Sequence, residues 1–263
     1  MKNTMFMLLS LVAFAAFGAD RTLEKSFEVG ADASFSLDSH KGHIQIRTSD
    51  TNTIQVNARI HMGDDYDGKL SDEEILRLIE SVDVNFHADE GSVRVSVDYD
   101  NANSLFDALM RKNRTMPMIH FEIMLPDDAN LQLETHKSTV DVDAPSGRVD
   151  IESHKGEGAI RGVRGEFNME THKGKFQVEI LEMHDVSVET HKGDVNLTLH
   201  GATDFTVRGE THKGNLNVKG YEFRAKRADD RGDEKVLYQK MGNGSNRIEL
   251  ETHKGAITLD FVN

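Results

Sequence analysis

The 263-residue chain contains no cysteine. That excludes disulfide staples, thiolate chemistry and a lipid-modified cysteine at an export cleavage site. Positive charge is also scarce: 31 Lys and Arg stand against 45 Asp and Glu, a formal net charge of -14. Phosphate backbones, and with them nucleic acids, are therefore poor general partners. Past residue 19 the chain has no apolar run of the roughly 20 residues that a bilayer-spanning helix needs. It also lacks a nucleophile elbow, a phosphate-cradling glycine loop and an H-E-x-x-H pair, so the usual local signatures of hydrolases are missing.

What is present begins with the layout of a secretory signal peptide. Met1-Lys2-Asn3 supplies the basic end, Met5 to Phe17 the apolar core, and Gly18-Ala19 the small residues before the charged Asp20. The apolar core is short for a bilayer anchor. Residues 1–19 are thus expected to be removed on export, leaving residues 20–263 as one elongated domain in the periplasm, secreted, or at the cell surface.

Self-similarity organises that domain. The segments DSHKGHIQI at 38, ETHKSTVDV at 134, ESHKGEGAI at 152, ETHKGKFQV at 170, ETHKGDVNL at 189, ETHKGNLNV at 210 and ETHKGAITL at 251 are copies of one unit. From His136 onward the histidines advance by 18, 18, 19, 21 and 41 residues. The last step reads as two periods, with a turn near residue 232 that has lost the motif. A period near 20 with strand content is the mark of a solenoid whose turns stack on a shared core.

Within a unit the pattern alternates at period two, which specifies strand. Val186, Val188 and Thr190 face one way, and Ser187, Glu189 and His191 the other. Lys192-Gly193 makes a corner, with glycine accepting the positive φ such a corner can require. Stacked in register, equivalent residues form columns about 4.7 to 4.9 Å apart. Inward columns run through Leu133, Ile151, Met169, Val188, Gly209 and Leu250, and through Leu131, Val149, Phe167, Val186, Val207 and Ile248. A Thr/Ser column, Thr135 to Thr252, lies inward near the corner, where hydroxyls can bond to neighbouring turns. Outward run a Glu column, Glu134 to Glu251, and a His column. The expected fold is all-β: a β-helix-like solenoid of stacked short strands with one helical insertion near its N-terminal end. Regular turns occupy 126–263. Residues 20–125 read as wider, irregular turns of the same stack, with a helix over 71–82 begun by a capping box of Ser71 and Glu74.

The N-terminal strand pair, the helical insertion, the passage Ile123-Met124-Leu125-Pro126-Asp127-Asp128-Ala129-Asn130-Leu131 and the turns of form apolar-x-Thr-x-x-Gly-x-apolar resemble the bacterial putative-adhesin family, β-strand-repeat envelope proteins of unknown function. The resemblance covers nearly all of the chain after residue 19. It implies a β-helix-like coil and supplies no catalytic residues. Family members carry small residues before the repeating glycine, where this chain has His-Lys.

The candidate site is that ladder: His136, Lys137, His154, Lys155, His172, Lys173, His191, Lys192, His212, Lys213, His253 and Lys254. One reading makes it an inherited surface ornament. A second makes it a cationic ridge for an anionic polysaccharide or another envelope component, with His adding charge below about pH 6.5; against it, Glu and Lys can pair across turns. A third gives His154, His172, His191 and His212 a weak, multivalent hold on a divalent transition metal such as Zn²⁺, Ni²⁺ or Cu²⁺, with no other cofactor. Met116, Met118 and His120 alternate as a soft copper-binding M-x-M-x-H, although core-facing methionines are the simpler expectation. The leading function is an exported, non-catalytic binding or structural protein of the envelope or surface, and the alternative is a β-helical carbohydrate-active enzyme. Ice binding is disfavoured because the Thr column points inward.

Overall fold

The computed structural model describes residues 20–63, 66, 68–99, 116–220 and 235–262. The expected signal peptide and the expected motif-less turn near 232 lie outside the described residues. Among those described, sixteen strands and one helix are found, and no helix is long and apolar enough to cross a membrane.

The chain opens with Arg21–Glu28 (β1), Ser34–Ser49 (β2) and Thr53–Met62 (β3), followed by the helix Asp72–Glu80 (α1). The capping box is formed: the Ser71 hydroxyl accepts from the Glu74 amide at 3.3 Å, and the Glu74 carboxylate accepts from the Ser71 amide at 2.9 Å. Leu78 and Ile79 are buried on one side of this helix. Asp83–Asp89 (β4), Ser92–Asp98 (β5) and Pro117–Pro126 (β6) complete the N-terminal part. The regular turns begin with three long strands, Asn130–Asp143 (β7), Val149–Val163 (β8) and Phe167–Ile180 (β9), each continuous through its His-Lys corner. Later turns break there into pairs: Val186–Thr190 (β10) with Asp194–His200 (β11), and Phe205–Thr211 (β12) with Asn215–Lys219 (β13). Lys235–Met241 (β14), Asn246–Thr252 (β15) and Ala256–Val262 (β16) end the chain.

The rungs stack parallel and in register, Glu on Glu and Thr on Thr: Glu134 pairs with Glu152, Glu152 with Glu170, and Glu170 with Glu189. Alternate side chains point inward from both arms of each rung into one continuous apolar core, in which Phe35, Phe121, Phe167, Phe176 and Phe205 are fully buried. Each such side chain contributes roughly 1.5 to 3 kcal/mol on burial.

Three features differ from the sequence expectation. First, the 41-residue step between His212 and His253 is not two successive turns. β14 runs antiparallel along β12, and the chain then returns so that β15 lies between β10 and β12, parallel to both, while β16 lies between β11 and β13. The last turn in sequence is therefore an interior rung. Second, residues 20–125 are only partly wider turns of the stack. β2, β5 and β6 run parallel to their rung neighbours, whereas β1, β3 and β4 are antiparallel strands that close this end. Third, the corner glycines are required chiefly by close approach. Gly156, Gly193, Gly214 and Gly255 do not have the positive φ found at Gly42 and Gly174, but a Cβ on Gly174 or Gly255 would overlap the carbonyl oxygen of Gly156 or Gly193 on the adjoining rung.

Candidate functional site

The Thr/Ser column builds the corner from inside. Ser39, Thr135, Ser153, Thr171, Thr190, Thr252 and Thr211 are all 1–3% exposed. Among the described residues their hydroxyl bonds close within a rung and do not cross to a neighbouring turn, although the sequence suggests that they could. The Gly193 amide donates to the Thr190 hydroxyl at 2.9 Å, the Gly214 amide donates to that of Thr211 at 2.9 Å, and the Thr135 hydroxyl donates to that of Ser138 at 2.6 Å. Between rungs the corner is tied by backbone: the Lys192 amide donates to the His172 carbonyl, Lys254 to His191 and Lys213 to His253. A rigid backbone ladder thus carries the outward side chains.

On that ladder the imidazoles form a continuous column in the spatial order His40, His136, His154, His172, His191, His253, His212. Successive ring centroids are 4.6, 4.6, 4.9, 4.6, 4.8 and 5.0 Å apart. The first three contacts are parallel stacks, with planes 3–6° apart. His191 breaks the pattern, standing at 72° to His172 and 68° to His253. Tyr99 covers the His40 end edge-on at 5.6 Å. His40 was not among the candidate residues, because its copy lies 96 residues before the next and in the irregular part of the sequence. The place of His253 between His191 and His212 follows from the rung order and has no signal in the spacing.

Lysines flank the column on one side and carboxylates on the other. Among the described residues, Lys137, Lys155, Lys173, Lys192, Lys213 and Lys254 form no ion pair, and neither do Glu134, Glu152, Glu170, Glu189 and Glu251. The expected Glu–Lys pairing across turns is thus absent there. Arginines behave in the opposite way. Arg47 and Arg161 share Asp141 and Asp143, Arg148 holds Asp150 and Glu166, and Arg247 holds Asp185. The planar guanidinium suits such bidentate bonding, whereas an ammonium on a long stem stays hydrated.

This geometry can be set beside known proteins. The profile of the Toastrack DUF4097 family matches residues 79–260, more than half of the chain. The chain belongs to the Toastrack family. Membership agrees with the likeness to putative adhesins of unknown function noted from the sequence. No curated protein matches the chain. It is similar to the crystal structure of a putative cell adhesion protein from Clostridium sporogenes ATCC 15579 at 13% identity, over 92% of this chain and 100% of that one, with a TM-score of 0.47. It is also similar to a putative adhesin from Bacteroides fragilis NCTC 9343 at 14% identity, over 92% of this chain and 97% of that one, with a TM-score of 0.30.

In this Toastrack chain, stacking like residues moves their protonation in opposite directions. Partial burial lowers the pKa of His136, His172 and His253, and the positive charge of neighbouring imidazoles and lysines lowers it further. His40 is lowered by burial and by Lys41, against the pull of Asp38. On the carboxylate side, burial and then adjacent carboxylates raise Glu134, beside Asp38 and Glu152, and Glu189, beside Glu251 and Glu170. A shallow groove of about 250 Å³ follows this carboxylate row past Glu134, Glu152, Glu170 and Glu189.

Two further features lie off the ladder. A hollow of about 580 Å³ on the outer face of β1, β3, β6 and β2 is lined by Glu24, Gln45, Arg47, Gln55, Asn57 and Glu122 among others. Across β3, β6 and β2 stand His61, His120 and His43, with His61 to His120 at 4.3 Å and His43 to His120 at 6.0 Å. Met118 and His120 occupy the outward phase of β6, half-buried, while Ile119 and Phe121 face the core. The expectation of core-facing methionines fails here because Pro117 starts the strand on the buried phase and sets Met118 opposite. Among the described residues no group of three or more His, Cys, Asp or Glu is arranged to hold a metal ion.

Proposed function

We propose that the protein is an exported, non-catalytic component of the bacterial envelope or surface that binds an anionic polysaccharide along its His-Lys ridge. The observation that carries this reading is the row of six lysines, Lys137, Lys155, Lys173, Lys192, Lys254 and Lys213 in spatial order, that form no ion pair among the described residues, beside imidazoles at 4.6–5.0 Å steps. Six rungs at strand spacing make a line about 24 Å long. A line of evenly spaced cations suits a polymer of evenly spaced anions, because each contact is weak in water and many act together. The acidic remainder of the chain repels polyanions elsewhere and so favours one orientation. Export rests on the signal-peptide layout of residues 1–19.

The test is binding of residues 20–263 to a soluble polyuronate, with a neutral glucan as control. Lys173, Lys192 and Lys254 are neighbours in space, so their joint replacement by Gln removes the middle of the ridge. Affinity should fall at least tenfold at low ionic strength, and the wild-type affinity should fall steeply with added salt. Equal binding by the variant, or equal binding to the neutral glucan, overturns the reading. The alternative, a carbohydrate-active enzyme, would use Glu24 and Glu122 in the hollow on the outer face. Release of reducing ends from the polyuronate, lost in Glu122→Gln, would establish it instead.

A further inference from the structure

We infer that His172 and His191 form a two-imidazole site for a divalent transition-metal ion, localised at the step of the ladder where two ring nitrogens approach to 3.2 Å. The argument is geometric. An imidazole nitrogen offers its lone pair in the plane of the ring. Where rings stack in parallel, as at His40, His136, His154 and His172, the lone pairs run side by side and do not converge. At the next step the planes turn by 72°, and Nδ1 of His191 comes to 3.2 Å from Nδ1 of His172. An ion bound to both at about 2.0 to 2.1 Å would subtend an angle of roughly 100 to 106° at that separation, close to tetrahedral and within reach of a cis pair on an octahedral or square ion.

The contact also has a proton in it. Two neutral imidazoles can share an Nδ1···Nδ1 hydrogen bond only if one of them carries the proton at Nδ1. For both Nδ1 lone pairs to face one ion, that proton moves to Nε2 of its own ring, with no net release; binding weakens at low pH because a protonated imidazole has to give up a proton before it can bind the ion. The groups around the pair set the electrostatic balance. Glu170, Glu189 and Glu251 lie along one side, Lys173, Lys192 and Lys254 along the other, and His154 and His253 lie on the rungs above and below.

This assignment sharpens the sequence expectation in two ways. His154 leaves the set because it stacks parallel to His172 at 3°. His212 leaves it because His253 stands between it and His191. Among the described residues no third donor completes the shell, so the remaining positions are open to water or to an exogenous ligand. Imidazole-preferring ions are expected, with Cu²⁺ bound most tightly.

The experiment is titration of residues 20–263 with Cu²⁺ alone at pH 7.5, followed by calorimetry and electron paramagnetic resonance. Wild type should bind one Cu²⁺ with a two-nitrogen signature, and the affinity should drop on lowering the pH to 5.5. His172→Gln and His191→Gln should each lose at least tenfold in affinity with unchanged circular dichroism, whereas His136→Gln, in the parallel part of the column, should lose less than twofold. Equal losses in all three variants would mean diffuse binding by the whole ladder and overturn the assignment. So would a wild type that shows no two-nitrogen site. The readout is the metal itself, so the result stands apart from that of the polysaccharide test.

Discussion

At each corner the Thr or Ser before His-Lys and the Gly or Ser after it lie on the inner wall while His and Lys lie on the outer one, and the two walls are held by different physics. Inside, the backbones of adjoining rungs approach so closely that a side chain on the glycine would overlap a carbonyl oxygen, and the Thr hydroxyl closes the corner by bonding the glycine amide. Outside, the imidazoles stack on one another, with Tyr99 against the His40 end, and among the described residues Lys137, Lys155, Lys173, Lys192, Lys213 and Lys254 form no ion pair. The inner wall is therefore constrained by the fold, while nothing steric on the outer wall calls for His-Lys in every rung. Retention of that pair where packing does not demand it is what points to a role outside the fold.

The comparison breaks first at glycine. Gly255→Ala places a Cβ against the Gly193 carbonyl, a backbone atom that cannot turn aside, in a rung held by parallel pairing on both sides. We expect a loss of at least about 3 kcal/mol, read by denaturant unfolding. Gly30→Ala meets nothing within 4 Å and should lie within about 0.5 kcal/mol of wild type. A similar, small effect at both positions would show that the rungs can separate, and the account of the corner would then fail.

Next comes the hydroxyl. Thr190→Val keeps the shape of the side chain but strands the Gly193 amide, which the Thr190 hydroxyl satisfies, and should cost about 1 to 3 kcal/mol. Thr252 occupies the same column two turns of motif later in sequence and one rung away in space, yet its buried hydroxyl has no partner. Thr252→Val should accordingly be neutral or stabilising. Equal penalties at the two positions would mean that the column acts through packing alone.

Much of this was legible in the sequence, and the reason is periodicity. Alternation identified which residues of each rung face the core, and the Ser71–Glu74 capping box marked the helix correctly. Chain direction was not legible. Alternation is the same for parallel and antiparallel strands, so β1, β3 and β4 gave no sign of running opposite to their neighbours. Rung order was hidden for a related reason. Every ETHKG rung presents the same columns, so any one can sit beside any other. What decides the placement of β15 is the connection through β14, which carries the chain back along β12. The lack of ion pairs at Lys137, Lys155, Lys173, Lys192, Lys213 and Lys254 was equally hidden, because spacing puts Glu and Lys on one face without saying whether they reach each other.

The smallest expected effect is the pH dependence of stability, and it separates the two charged rows. His40, His136, His172 and His253 have pKa values below the ordinary imidazole value of 6.5, mainly through burial. As the pH falls through that range the unfolded chain takes up protons before the folded chain does, so the stability present above pH 6.5 is lost on acidification. Glu134 and Glu189 have pKa values above the ordinary carboxyl value of 4.5, again mainly through burial. There the folded chain takes up protons first, so those groups favour the fold below pH 4.5 and disfavour it as the pH rises through their raised values. Thermal unfolding should therefore shift down between pH 7.5 and 5.5, with the carboxylates opposing the loss at the acid end. In the joint variant His136→Gln, His172→Gln the downward shift should shrink, and in Glu134→Gln, Glu189→Gln it should grow. A double-His variant with the full wild-type slope would place the titration elsewhere and leave the imidazole column without a part in it.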